Sequence, residues 1–187
     1  MKKFDTEPAL LFAPANGNDA IDSDIIFENG KYYMYYKNET NKRIYLAEAS
    51  HANGPYTEIK QVSEGSIGVE GPNIYKLIGS DKWLMMSDAY GNGYYVMQET
   101  TDLENFRSLS RDSYSFDFTP RHGYVIPINA DQYTALVNAY PSAGIHQINT
   151  GIEPVVLHTG VGSKASAPRY ATAVYSDGGT SQVYIDW

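Results

Sequence analysis

Between Ile21 and Leu109 short apolar and aromatic runs alternate with polar turns, and the same order occurs twice. The first pass holds Asp22-Ser-Asp-Ile-Ile-Phe-Glu28, Lys31-Tyr-Tyr-Met-Tyr-Tyr-Lys37, Arg43-Ile-Tyr-Leu-Ala-Glu-Ala-Ser50 and Gly54-Pro-Tyr-Thr-Glu-Ile59. The second holds Glu70-Gly-Pro-Asn-Ile-Tyr-Lys76, Asp81-Lys-Trp-Leu-Met-Met-Ser-Asp88, Gly93-Tyr-Tyr-Val-Met-Gln-Glu-Thr100 and Leu103-Glu-Asn-Phe-Arg-Ser-Leu109. Runs of this length, rich in Tyr, Ile and Met and bounded by Gly, Asn and Asp, read as strands. Asn29-Gly30 is a strong hairpin signal, and Gly91-Asn-Gly93 marks a second tight turn. Four strands per unit, repeated, are the signature of a β-propeller blade. The spacing predicts blades over 21–60 and 69–110, joined by a Ser/Gly-rich connector.

Outside the repeat the pattern loosens. Ala9-Leu-Leu-Phe-Ala13 predicts a strand or an adapted arm within residues 1–20. Val125 and its neighbours predict the inner strand of a third unit. Asn129 to Val137 predicts one short helix, with Asn129 as its cap. Arg169 to Tyr175 and Gln182 to Trp187 flank Asp177-Gly-Gly179 and predict a hairpin. The helical periodicity of an α/β protein is missing, so the fold class is all-β. The expected organisation is an N-terminal arm over 1–20, propeller blades over 21–140, and a linker with a C-terminal hairpin over 141–187.

Aligning the two passes on Ile26 and Ile74 places Asp22 and Glu70 at one position, four residues earlier. First strands of successive blades converge on the propeller axis, so both carboxylates are expected to face one pocket. Glu70 stands where a loop enters a sheet, between Gly68 and the Gly71-Pro72 pair, a common address for a functional group. Asp88 ends a strand, where it either lines the pocket or caps its own turn. Tyr90 and Trp83 are candidates for stacking on a sugar ring, although an aromatic in a blade strand also serves the core.

Composition adds limits. The chain has 187 residues, 17 of them tyrosines, which suits half-buried sheet surfaces and also sugar stacking. A net charge of −8, with no basic run, excludes nucleic acid and anionic membrane surfaces as expected partners. With no cysteine there is neither a disulfide framework nor a thiolate metal site. No nucleophile elbow, P-loop or dinucleotide fingerprint is present, so phosphoryl and hydride transfer drop out. The N-terminal residues lack the apolar core of a signal peptide and no run has membrane-spanning length. As given, the chain reads as cytoplasmic, or as a segment of a longer secreted protein.

With these motifs in place the chain resembles the family 43 glycoside hydrolases, five-bladed propellers of arabinan and xylan breakdown. The carriers are Ile21-Asp-Ser-Asp-Ile-Ile with Gly30-Lys-Tyr-Tyr-Met-Tyr-Tyr-Lys, Ala47-Glu-Ala-Ser with Gly54-Pro-Tyr, Val69-Glu-Gly-Pro, and Pro120-Arg-His-Gly-Tyr-Val-Ile-Pro-Ile. The resemblance runs from about Ile21 to Leu136 and implies a partial propeller of about three to four blades, the C-terminal part of such an enzyme. It implies inverting hydrolysis of arabinofuranosyl or xylosyl linkages in plant polysaccharides. Glu70 matches the general acid, and Asp22 the carboxylate that orients it and raises its pKa, with Asp24 as the fallback. His122 matches an axial histidine near a bound cation or water network, and Arg121 beside it a substrate contact; Tyr90 and Asp88, read from their own positions, complete the expected substrate-binding set. No cofactor is required for this chemistry; the resemblance allows a structural calcium. The water-activating base, which inversion places about 6.5–9.5 Å from the acid, has no clear match. Asp5 and Asp19 precede no convincing inner strand. The alternative reading is a non-catalytic carbohydrate-binding or assembly module. Open sheet edges further suggest a homo-oligomer, or closure by residues 141–187.

Overall fold

A computed structural model describes residues 10–116, 121–140, 149–176 and 178–185. They fall into two compact units, Met1–Leu109 with Phe116–Ile126, and Ser110–Ser115 with Pro127–Trp187.

The first unit holds two four-stranded antiparallel sheets. One runs through β1 (Ala20–Glu28), β2 (Lys31–Asn38), β3 (Arg43–Ala49) and β4 (Thr57–Gln61) in chain order. The other runs through β5 (Glu70–Lys76), β6 (Trp83–Ala89), β7 (Tyr94–Thr100) and β8 (Arg107–Ser108), again in chain order. This up-and-down order is that of a propeller blade. The β1–β2 hairpin closes at Asn29 and Gly30, with φ of 51° and 81°, the left-handed pair whose twist matches the flanking strands.

Alternation along β2 divides the first sheet between two cores. Tyr33 and Tyr35, with Ile44 and Leu46 of β3, pack against Ile74, Trp83 and Met85 of the second sheet. Met34, Tyr36, Ala47 and Tyr56 occupy the opposite face, where Phe12 of the arm packs on Tyr36 at 5.0 Å between ring centroids. Residues 10–14 form no strand, so within the described residues they are an arm.

Both first strands carry a bulge at the same place. Ile21 pairs with Lys37 and Asp24 with Tyr35, so Asp22 and Ser23 together face one residue. Glu70 pairs with Asp88 and Asn73 with Met86, so Gly71 and Pro72 do likewise. The first bulged residue is left-handed in each, Asp22 at φ 53° and Gly71 at φ 52°. The register therefore matches Ile25, not Ile26, with Ile74, and Asp22 with Gly71. The sequence alignment of Asp22 with Glu70 is one residue out, because Ile25 and Ile26 are adjacent and identical and either can be matched with Ile74 on apolar pattern alone.

Asp24 ties the unit together. It is buried, and its Oδ2 accepts from the Ile74 backbone at 2.8 Å and from Asn73 Nδ2 at 3.0 Å. Its Oδ1 accepts from the Tyr124 hydroxyl at 2.8 Å. Three donors from β5 and the 121–126 segment thus satisfy a carboxylate inside the sheet pair.

The third inner strand expected around Val125 is not formed. Residues 121–129 are irregular, and the Val125 N–H donates to the Asn73 side chain at 2.7 Å rather than to a strand ladder. The predicted helix is present as α1 (Ala130–Ala139), with reciprocal capping between Asn129 and Gln132. It groups with the second unit, whose sheet has the order β11-β10-β9: β9 (Asn149–Ile152), β10 (Tyr170–Tyr175) and β11 (Thr180–Tyr184). β10 and β11 pair antiparallel where a hairpin is expected; Asp177, Asp186 and Trp187 of that expectation lie outside the described residues. No described helix is long and apolar enough to cross a membrane.

Candidate active site

The bulge at the head of β5 turns the chain so that Glu70 enters the space between the two sheets and the 121–124 segment. Its Oε2 accepts from Lys37 Nζ at 2.7 Å. Its Oε1 lies 3.1 Å from His122 Nε2 and 3.7 Å from an Arg121 terminal nitrogen. Asp22 joins from the β1 bulge: one ligand atom each from Asp22, Glu70 and His122 lie within 4.8 Å of one another.

Each contact has a local cause. His122 has φ of 28°, which turns its ring back over β5. Gly71 receives it, since a Cβ there would stand 2.9 Å from His122 Nδ1. Lys37 closes the aromatic run of β2 and leaves only 4% of its side chain exposed. Its ammonium also reaches Glu39 at 2.8 Å and lies over the Tyr90 ring, 4.8 Å from the centroid. Tyr90 is partly exposed, and its hydroxyl would stand 3.1 Å from a Cβ on Gly68. Asp88 sits directly across from Glu70 but is fully buried; its Oδ2 accepts from Arg121 Nε at 2.8 Å, while Oδ1 has no hydrogen-bond partner among the described residues.

The electrostatics follow from these pairs. Burial pushes the Glu70 carboxyl up, but the hydrogen bonds and charge of Lys37 and His122 outweigh it and hold Glu70 below the usual glutamate range. Burial likewise pushes the Lys37 ammonium down, and Glu39 with Glu70 more than reverse this. Glu70 is therefore a carboxylate in the resting site. At less than 5 Å, Asp22 and Glu70 are too close to hold an attacking water between them, which takes about 6.5–9.5 Å. The pair suits one proton-carrying carboxyl and a charged neighbour.

Of the residues expected here, Asp22, Glu70, Arg121 and His122 do converge, Asp88 joins through Arg121, and Tyr90 through Lys37. Trp83 belongs to the core, 9% exposed, with Lys76 Nζ 5.3 Å from its ring. Asp24 is committed to β5 and Tyr124, so it is not free to act on Glu70. Asp19 is exposed and its backbone carbonyl accepts from Glu39 at 2.9 Å; Asp5 lies outside the described residues. Sequence reasoning missed Lys37. The available signal was a lysine continuing an otherwise aromatic run on a strand whose flanks are buried.

Two solved structures are similar to this chain. A family 43 β-1,3-galactosidase with galactodeoxynojirimycin matches 90% of it at 15% identity and a TM-score of 0.44. The catalytic domain of a family 62 α-L-arabinofuranosidase from Coprinopsis cinerea matches 93% at 11% identity and a TM-score of 0.45. The chain spans 59% and 54% of their lengths. A search of curated proteins found no match. A family model described as "Probable glycosyl hydrolase domain", of the group related to family 43, matches residues 3–134, well over half of the chain. This chain belongs to that family of glycosyl hydrolase domains.

Proposed function

We propose that the chain carries the proton-donating part of a glycosidase site that acts on arabinofuranosyl or xylosyl linkages with inversion. The observation that carries this reading is the convergence of Asp22, Glu70 and His122 on one point. Glu70 is the acid. Its Oε2 is taken by Lys37, so the proton for the leaving glycosidic oxygen is carried on Oε1, on the His122 side. The negative charge of Asp22 favours that proton, against the pull of Lys37 and His122. Because the resting carboxyl is ionised, the step belongs to the acidic side of neutrality. Arg121 and His122 contact the sugar, Tyr90 borders it, and Asp88 acts only by holding Arg121. The water-activating carboxylate comes from Asp5, Asp19 or another chain, and self-association through open sheet edges is one way to supply it. Asp22, Glu70 and His122 bring ligand atoms close enough to share a cation, but Lys37 and Arg121 already stand beside Glu70, and the proton transfer in this reading runs without one.

A second reading is favoured by one specific observation. Both Glu70 oxygens face cationic or hydrogen-bonding neighbours in the resting protein, as suits a carbohydrate-binding module that keeps the pocket without turnover. The test is release of sugar from arabino- and xylo-oligosaccharides, whose leaving groups need the acid, by the wild type and by Glu70→Gln, with sugar affinity measured in parallel. The catalytic reading requires release above the variant. Affinity without release, weakened by Tyr90→Ala, selects the binding module; neither release nor affinity overturns both.

A further inference from the structure

We propose that Lys37 is a positioning residue for Glu70: by claiming Oε2 it leaves Oε1 as the one oxygen that Glu70 presents to a sugar. The inference rests on the reading of Glu70 as the proton donor. Lysines are seldom buried unless paired, and this one is enclosed by Glu70 at 2.7 Å, Glu39 at 2.8 Å and the face of Tyr90. Those three contacts use the directions an ammonium can offer, so its position is fixed from three sides.

The repeat shows why Glu70 needs this. Lys37 and Asp88 hold the same register position in the two sheets, each opposite the last residue before the bulge. In its own sheet Glu70 therefore faces another carboxylate, a like-charge pair that is unfavourable when directly opposed. Arg121 stands by both, 2.8 Å from Asp88 and 3.7 Å from Glu70. Two cations thus compete for Glu70, and the nearer one, from the neighbouring sheet, draws it away from Asp88. Without Lys37 the carboxylate turns to the guanidinium, whose fork takes both oxygens, and Oε1 leaves His122.

The experiment compares Lys37→Met and Lys37→Arg with the wild type, reading the 15N shift of His122 Nε2 and the kinetics on an arabino- or xylo-oligosaccharide, whose alkoxide leaving group needs the acid. In Lys37→Met the His122 signal moves, and kcat falls by about 100-fold, as expected of a displaced reacting group, while KM stays within about twofold. Lys37→Arg keeps the charge and returns the His122 signal and kcat part of the way. A folded Lys37→Met with an unmoved His122 signal overturns the proposal. Should Lys37→Met fail to fold, Lys37→Gln takes its place, and an unmoved His122 signal there overturns the proposal as well. If the wild type shows no turnover, the proton-donor reading fails separately, and the His122 signal alone decides whether Lys37 positions Glu70.

Discussion

The imidazole of His122 lies on the backbone of Gly71, so close that a Cβ there would stand 2.9 Å from Nδ1 and 3.1 Å from Cε1. Gly71 is also left-handed, at φ 52°. An L-residue in that conformation costs about 1–2 kcal/mol, and here it would also push His122 off Glu70. Gly71→Ala should therefore lower stability by about that amount and shift the His122 ring signals. Chemical denaturation and histidine NMR check the two effects separately. An alanine variant with wild-type His122 signals would contradict the seating of the ring by Gly71.

Asp22 and Asp24 are two residues apart on one strand and have different work. Asp24 satisfies Ile74, Asn73 and Tyr124, and stranding buried donors costs about 1–3 kcal/mol each. Asp24→Ala should cost about 2–4 kcal/mol by urea unfolding. Asp22→Asn should stay within about 0.5 kcal/mol of the wild type and change only the chemistry at Glu70. Equal losses in the two variants would refute this division.

Acid should weaken the fold. Glu70 is held down by Lys37 and His122 against burial, and Glu99 by Arg107 and Lys82. Burial pushes Asp102 up, but hydrogen bonds from Asn105, Glu104 and Thr100 hold it well below the aspartate range. With folded pKa values below the unfolded ones, their stabilisation is complete above the ordinary carboxylate values of 3.8 and 4.5. It is lost as pH falls through the folded values. The melting temperature should be flat down to about pH 5 and then fall, less steeply in Asp102→Asn. A rise on acidification would contradict these pairings.

Much of this was legible in the sequence, for local reasons. The Asn29-Gly30 turn, the aromatic alternation of β2, the Asn129 cap and the C-terminal hairpin are written in neighbouring residues. What escaped depends on contacts between distant ones. The adjacent Ile25 and Ile26 both fit the apolar pattern of Ile74, and only the strand register shows that Ile25 is its counterpart. The role of Asp24 needs Asn73, Ile74 and Tyr124, 49 to 100 residues away. Val125 looked like a strand residue because it is apolar with apolar neighbours, yet its N–H is spent on the Asn73 side chain. Lys37 looked like a strand-end charge because its partner Glu70 lies in the other sheet.

If Glu70 gives a proton to the departing oxygen, turnover must depend on how much help the leaving group needs. A nitrophenolate departs with little help, whereas the alkoxide of a natural linkage needs the acid. Turnover of a 4-nitrophenyl arabinofuranoside or xyloside and of the matching oligosaccharide would be compared in the wild type and in Glu70→Gln. Glu70→Gln is expected to lose far more on the oligosaccharide than on the aryl substrate. Equal losses on both, or wild-type turnover of the oligosaccharide by Glu70→Gln, would contradict it.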